Sequence, residues 1–145
     1  MERQPPSTNA TPTQEMSLWI AGALLTLAWF GFLTLLAGQV ESLDLGERLF
    51  GLFDVSVVHN CLHLLLAAAA LLSARSYRGS QRFLMCAGIA MMTLTIYSQI
   101  DSAPALPHLV PIGPADGVLH ALVGLAMIVA AILPMSLGRT SPPRP

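Results

Sequence analysis

The chain has 145 residues, of which 54% are hydrophobic and only 10% are charged, and its mean hydropathy is +0.64. Soluble domains carry about 25% charged residues, so this composition argues against a soluble domain and predicts an integral membrane protein. The chain has no lysine and a net charge of −1, which argues against the basic surface that nucleic-acid binding requires.

The first part of the chain changes character at residue 17. Residues 1–16 are polar and rich in Pro and Thr, which predicts a disordered tail. Residues 17–38 carry no charge, and a helix of this length reaches about 33 Å, enough to cross a bilayer. A secretory signal peptide is the alternative, but its apolar region is usually only about 7–15 residues long. We therefore predict an uncleaved first span.

The segment that follows the first span is amphipathic. Within residues 40–53, apolar side chains recur at helical spacing, at Leu45, Leu49, Leu52 and Phe53. This pattern predicts a short helix lying in the membrane interface between helices 1 and 2. Asp54 then stands where an N-cap is expected for a second span over residues 55–74.

The second half of the chain predicts two further spans. A short basic connector at residues 75–82 leads into a third span at 83–100. Residues 101–114 contain four prolines, which predict an extended loop because proline fixes φ and lacks an N–H. A fourth span follows at 115–135, and residues 136–145 resemble a second disordered tail. The predicted fold is therefore all-α, a four-transmembrane-helix bundle in one domain at residues 17–135.

The arginines indicate how the bundle is oriented. Six of the seven lie in the N-terminal tail, the connector or the C-terminal tail, whereas Arg48 alone lies on the other side. Because arginine is retained on the cytoplasmic side of membranes, both termini are predicted to be cytoplasmic. The expected partners are the lipid bilayer and, in addition, another membrane protein or a second copy of this chain.

The two cysteines, Cys61 and Cys86, lie toward opposite sides of the membrane in this topology. A disulfide requires Cα atoms within about 7 Å, so we expect no bond between them. Free cysteine commonly behaves as a small apolar core residue, which is what we predict for both.

Four ionisable residues are predicted at depth in the outer half of the bundle. His59 and His63 stand four residues apart on the second span, and Asp116 and His120 repeat that spacing on the fourth. Residues four apart share a helix face, and the histidines lie at comparable depths of about 6–13 Å. Because ionisable groups are costly in hydrocarbon, they should face the bundle interior.

The sequence leaves three interpretations of these residues open. They can serve as interhelical hydrogen-bonding groups. His59, His63 and His120 with Asp116 also have the ligand chemistry of a site for zinc or a similar ion. A haem between His63 and His120 is the third. The spacing of His59 and His63 matches a zinc-protease helix, but Asn60 occupies the position of its general-base Glu, so peptide hydrolysis is not supported.

A faint internal repeat relates the second and fourth spans. Leu62-His63 followed by Ala67 matches Leu119-His120 followed by Gly124. This similarity predicts two tandem helical hairpins related by a parallel repeat. Small residues such as Gly31 and Gly88 are expected to let the helices approach closely.

Two runs of residues resemble the hallmarks of a known family. One runs from Leu49 to Phe53 and continues through His59, Asn60 and His63; the other comprises Ala115-Asp116, Leu119-His120 and Gly124. They resemble a family of small bacterial membrane proteins catalogued as a domain of unknown function, number 4383. The resemblance covers residues 18–135 and implies four membrane helices. It brings no known activity and no catalytic residue.

The sequence therefore predicts a multi-pass protein of the bacterial cytoplasmic membrane. Because no nucleophile–base pair or cofactor-binding loop is recognisable, a non-enzymatic structural or accessory role without a cofactor is the main hypothesis. A metal- or haem-binding redox protein that uses the outer-half histidines is the first alternative, and a small transporter is the second.

Overall fold

The computed structural model describes residues 10–37, 47–97 and 112–133. These residues form four helices and a two-stranded hairpin, as follows: α1 at Pro12–Ala37, β1 at Glu47–Leu49, β2 at Phe53–Val55, α2 at Val57–Ser73, α3 at Tyr77–Tyr97 and α4 at Pro114–Ile132. The prediction of a helical protein with four helices is confirmed. Most of both predicted tails, together with the loop at 101–111, lies outside the described residues.

Helix α1 begins five residues earlier than predicted because its first turn is capped. The amide of Gln14 donates to Thr11 Oγ1 at 3.3 Å, and the amide of Thr11 donates to Gln14 Oε1 at 3.1 Å. This reciprocal pair is a capping box, and Pro12 occupies the first helical position, where proline is favoured. Residues 12–16 are therefore helical rather than part of a disordered tail.

The predicted interfacial helix is wrong for residues 47–53, which belong to an antiparallel β-hairpin that ends at Val55. Arg48 pairs with Asp54 in the ladder, and the turn uses positive φ angles at Phe50 and Gly51. Leu49 of β1 and Val55 of β2 are buried beside Leu35 of α1, whereas Leu52 in the turn is exposed. Residues 40–46 lie outside the described residues.

The prediction of Asp54 as the N-cap of α2 is also wrong. Asp54 lies in β2, and Ser56 caps the helix, because its Oγ accepts a hydrogen bond from the His59 amide at 3.1 Å. The basic connector is shorter than predicted, since α3 already begins at Tyr77. Arg78 and Arg82 therefore lie on the first two turns of α3.

The four helices form two antiparallel hairpins, in which α1 packs mainly on α2 and α3 mainly on α4. A glutamine closes each hairpin at the same end. Gln14 Nε2 donates to the Ala74 carbonyl at 2.8 Å, and Gln81 Nε2 donates to the Ala131 carbonyl at 2.9 Å. Both bonds satisfy carbonyls at a helix C-terminus that have no partner within the helix. The helix starts of α1 and α3 thus lie at the same end of the bundle as the helix ends of α2 and α4.

The burial pattern extends the repeat suggested by the sequence to all four helices. When the residue numbers of α1 are shifted by one constant onto α3, and those of α2 by another constant onto α4, buried positions of the two hairpins coincide. The matched pairs are Thr13 and Ser80, Ser17 and Leu84, Ile20 and Ala87, Ala21 and Gly88, Leu24 and Met91, Asn60 and Gly117, Ala67 and Gly124, and Ala70 and Met127. Each hairpin therefore buries the same faces of its two helices.

Glycines allow a close contact between α3 and α4. A Cβ atom added at Gly88 of α3 would lie 2.8 Å from the Gly124 carbonyl oxygen, and one added at Gly124 would lie 2.9 Å from the Gly88 oxygen. Neither position can hold a larger residue without a shift of the backbone. Cys61 and Cys86, predicted to be core residues, are exposed on the outer surface, so that prediction is wrong.

The outer surface of the bundle is strongly apolar. Within the described ranges, α1 and α4 are long and apolar enough to cross a membrane, and α2 is apolar but only 17 residues long. Large apolar side chains are exposed on all four helices, among them Trp19, Trp29, Leu65, Leu72, Ile89, Ile96, Val118 and Leu122. Soluble monomers rarely expose apolar surface on this scale.

Candidate functional site

Three histidines from two helices meet inside the bundle, toward the end at which α2 and α4 begin. His59 and His63 lie one turn apart on α2, and His120 lies on α4. One ring nitrogen from each side chain lies within 4.8 Å of those of the other two. The His59 ring centroid is 4.5 Å from that of His63 and 5.9 Å from that of His120. The sequence predicted the helices and depths of these residues, and the structure shows that they converge.

Their positions follow from how the two helices begin. Ser56 fixes the first turn of α2 through the His59 amide, which places His59 on the inward face. His63 shares that face because it lies four residues further along. On α4, Gly113 is the N-cap and Pro114 the first helical residue, so His120 lies inward two turns later. Since α2 and α4 make few direct backbone contacts, the imidazole rings meet across the space between the helices.

The histidines are buried, and one ring nitrogen of each has no hydrogen-bond partner among the described residues. His59 and His120 are 5% and 7% exposed, and His63 is half-buried. The Nδ1 atom of each is buried and, among the residues that the structure describes, has no hydrogen-bond partner. An unpaired buried polar atom costs about 1–3 kcal/mol, so three in one place are a considerable cost to the fold. A ligand shared by these atoms would offset that cost.

Asp116 lies beside the cluster but is used differently from the prediction. Its Oδ2 atom accepts hydrogen bonds from the amides of Asp54, at 3.0 Å, and Gly113, at 3.1 Å. The carboxylate therefore joins strand β2 to the start of α4. Asp116 and the backbone of Asp54 also lie close to the His59 ring. Asp116 does not belong to the group of three close ligand atoms that the histidines form.

Asn60 is a further buried polar residue on the same helix. Its side chain is 1% exposed and packs against the backbone of α1 at Gly31, where no Cβ occupies the space. Within the described part of the chain, Asn60 Nδ2 has no hydrogen-bond partner. Glycine at position 31 is thus required by a side chain on α2, which the sequence showed only as a small residue on a helix face.

A cavity of about 390 Å³ adjoins the histidines. Besides the histidines, the polar residues that line it are Thr26, Asp54, Asn60 and Asp116. Most of the remaining wall is aliphatic. Helix α1 contributes Ile20, Ala23, Leu24 and Leu27, and α3 contributes Met91. Sequence analysis missed Met91 and the α1 residues as members of the site, because nothing in an apolar helix marks which residues line a cavity.

The cluster has the dimensions needed for one metal ion. Zinc binds imidazole nitrogen at about 2.0–2.1 Å, so a tetrahedral ion holds its nitrogen ligands about 3.4 Å apart. Ligand atoms already within 4.8 Å of one another need only small side-chain adjustments to reach that separation. A haem fits less well, because the His59 ring lies against both other imidazoles and occupies the space where a planar macrocycle would lie.

The fold and the site define a class of helical protein: two repeated apolar hairpins that enclose a histidine cluster at one end. The family model described as a domain of unknown function (DUF4383) matches residues 14–133, and the chain belongs to this family. No curated protein and no solved structure matches the chain. The family resemblance found in the sequence is thereby confirmed.

Proposed function

We propose that this chain is a multi-pass membrane protein that binds a transition-metal ion through His59, His63 and His120. The observation that carries the proposal is the convergence of three buried imidazoles whose Nδ1 atoms have no partner among the described residues. Imidazole nitrogen suits zinc, copper, iron and nickel. Metal binding is thus favoured over interhelical hydrogen bonding, because the Nδ1 atoms of these histidines have no hydrogen-bond partner, in one another or elsewhere, among the described residues.

The membrane setting is supported by the outer surface and by helix length. Helices α1 and α4 meet the length and hydropathy that a span requires, and α3, with 21 residues, reaches about 31 Å. We propose that all four helices cross the cytoplasmic membrane of a bacterium with both termini inside. The Gln14 and Gln81 end of the bundle, which carries Arg75, Arg78 and Arg82, would then face the cytoplasm. The histidines would lie in the outer half.

The role that we propose is to hold the metal rather than to catalyse a reaction. The exposed apolar helix faces leave room for contact with another membrane protein or a second copy. The protein would act as a metal-binding accessory component of the membrane.

Metal analysis of the purified protein tests the site. The protein is extracted in a mild detergent, stripped with a chelator and titrated with Zn²⁺ or Co²⁺. We expect one ion per chain, and a loss of affinity of at least about 100-fold in His63→Ala and His120→Ala, since even outer-shell changes cost about 10–100-fold. Cys61→Ala and Cys86→Ala are the matched controls, because both thiols are exposed away from the cluster and should not affect binding.

Unchanged affinity in the histidine variants, or equal loss in the cysteine controls, would contradict the proposed site. Size-exclusion chromatography and circular dichroism of each variant separate loss of a ligand from loss of the fold. If the single variants of all three histidines bind the metal as wild type does, the ion binds elsewhere.

Cysteine labelling tests the orientation. In a background of Cys61→Ser and Cys86→Ser, Ser76→Cys marks the connector and Leu52→Cys marks the tip of the β-hairpin, both at exposed positions. An impermeant thiol reagent added to intact cells should label Leu52→Cys and leave Ser76→Cys unlabelled until the cells are opened. The reverse pattern would show that the bundle is inverted.

A further inference from the structure

The proposed metal site has three protein ligands, and this number has a chemical consequence. Structural zinc sites are usually closed by four protein ligands, whereas three-ligand sites leave a position for an exogenous group. Among the described residues, no fourth His, Cys, Asp or Glu side chain joins the group formed by His59, His63 and His120. The position that remains adjoins the cavity, which those histidines also line.

Charge determines what kind of group can occupy that position. A divalent ion held by three neutral imidazoles carries its full charge into a mainly aliphatic cavity, where an uncompensated charge is costly. Two carboxylates line the cavity, but Asp54 is ion-paired with Arg48, and Asp116, whose Oδ2 accepts two backbone hydrogen bonds, supplies a single negative charge. An anionic ligand on the metal would complete the neutralisation.

Asn60 adds a directional requirement. It lines the same cavity, is 1% exposed and has an Nδ2 without a partner among the described residues. A carboxylate has two oxygens, so one can coordinate the metal while the other accepts a hydrogen bond from Nδ2. A monatomic or linear anion cannot satisfy both groups equally well.

The rest of the cavity indicates the body of the ligand. Its volume of about 390 Å³ corresponds to about a dozen non-hydrogen atoms at about 30 Å³ each. The wall from α1 is apolar, and Ala23 and Thr26 are lining residues that are also exposed on the outer surface of the bundle. The cavity therefore opens at the face of α1, which in the proposed topology contacts lipid.

We infer that the site binds a monocarboxylate with an apolar tail of medium length. The carboxylate contacts the metal and Asn60, and the tail lies in the cavity beside α1. This inference rests on the proposed metal-binding function. It identifies the ligand class as an amphipathic acid of medium chain length that reaches the site from the bilayer.

A homologous series of carboxylates tests the inference on the full-length protein loaded with Co²⁺, whose visible bands report its coordination. Acetate, butanoate and hexanoate are titrated, and affinities are referred to the free aqueous concentration. Each buried methylene should tighten binding about three- to fourfold, so hexanoate should bind on the order of 100-fold more tightly than acetate. Asn60→Ala should weaken all three carboxylates while leaving the response to azide unchanged.

A cavity-filling variant supplies the matched control. Ala23→Phe places a ring at the mouth of the cavity and should remove most of the chain-length dependence. Ala126→Phe makes the same change at an exposed position of α4 outside the cavity lining and should leave the whole series unchanged.

The outcomes separate the two proposals. If no cobalt bands form, the metal site and this inference fall together. If the bands form but no carboxylate alters them, the metal site stands and the inference is overturned. Equal affinities for acetate and hexanoate, or the same loss in Ala23→Phe and Ala126→Phe, would also overturn it.

Discussion

The two hairpins of the bundle have the same plan but different contents. In each hairpin, a glutamine near the start of the first helix donates a hydrogen bond to a carbonyl at the end of the second helix. The two bonds are Gln14 to Ala74 and Gln81 to Ala131. His63 of α2 and His120 of α4 occupy equivalent positions, whereas His59 is matched by Asp116. The scaffold is therefore repeated, but the chemistry is not: one hairpin brings two imidazoles and the other brings one imidazole and a carboxylate.

The difference shows how a repeated scaffold can form one asymmetric site. If both hairpins carried two histidines, four similar ligands would surround the centre. Asp116 stands where a fourth histidine would be. Its carboxylate accepts hydrogen bonds from backbone amides and so joins β2 to the start of α4. The following experiments test which features of the two hairpins are equivalent and which are not, in order of decreasing expected effect.

Asp116→Ala should have the largest effect on stability. The substitution leaves the amides of Asp54 and Gly113 without their acceptor, and each buried unpaired group costs about 1–3 kcal/mol. We expect a loss of about 3 kcal/mol in the free energy of unfolding, measured by denaturant titration in detergent. Asp54→Ala is the control: its side chain forms an ion pair with the largely exposed Arg48, worth about 1 kcal/mol or less. Equal losses in the two variants would contradict the anchoring role of Asp116.

Gly88→Ala tests the contact at which the second hairpin is closest. The added Cβ would lie 2.8 Å from the Gly124 carbonyl oxygen, and overpacking of this kind costs about 1–3 kcal/mol. Gly22→Ala is the control on α1, where nothing lies within 4 Å of the added atom. There the higher helix propensity of alanine should stabilise the protein by up to about 1 kcal/mol. Thermal unfolding of both variants in the same detergent gives the comparison, and a stabilised Gly88→Ala would show that the α3–α4 contact is looser than described.

Gly31→Ala and Asn60→Ala test a contact that has no counterpart in the described part of the second hairpin. An alanine at position 31 collides with the Asn60 amide and should cost about 1–2 kcal/mol. Asn60→Ala removes the obstructing group, as Gly117 does at the equivalent position of α4. The double variant should therefore be more stable than the sum of the single changes predicts. Additive free energies of unfolding would contradict the contact.

Gln14→Ala and Gln81→Ala test the equivalence of the hairpins most directly. Each removes a side-chain hydrogen bond to a helix-terminal carbonyl, worth about 1 kcal/mol, and Gln14→Ala also removes the capping bond that Gln14 Oε1 accepts from the Thr11 amide. We expect a loss of about 1 kcal/mol in the free energy of unfolding for Gln81→Ala and about 1–2 kcal/mol for Gln14→Ala, because of the additional capping bond. A loss confined to one glutamine would show that the two closures contribute differently despite their matching geometry.

Helix number and approximate helix position could be predicted from the sequence, because long uncharged runs report them locally. The start of α1 could also have been found: Thr11, Pro12 and Gln14 form a capping-box pattern with proline at the first helical position. The β-hairpin was harder to predict, since Leu49, Leu52 and Phe53 have a spacing that suits a helix. Pairing of β1 with β2 and burial of Leu49 against Leu35 outweigh that local pattern.

By itself, the sequence determined that the chain forms apolar helices, that arginine gathers at one end and that rare polar residues fall on two helices at similar depth. These properties depend on composition and on spacing along one chain segment. Only the tertiary structure decided that His59, His63 and His120 face one another, that Asp116 is committed to backbone amides and that Cys61 and Cys86 point outward. The physical reason is that the rotation of each helix about its axis is set by contacts between distant segments, such as Gly88 with Gly124 and Gly31 with Asn60, which leave no periodic signal in either segment alone.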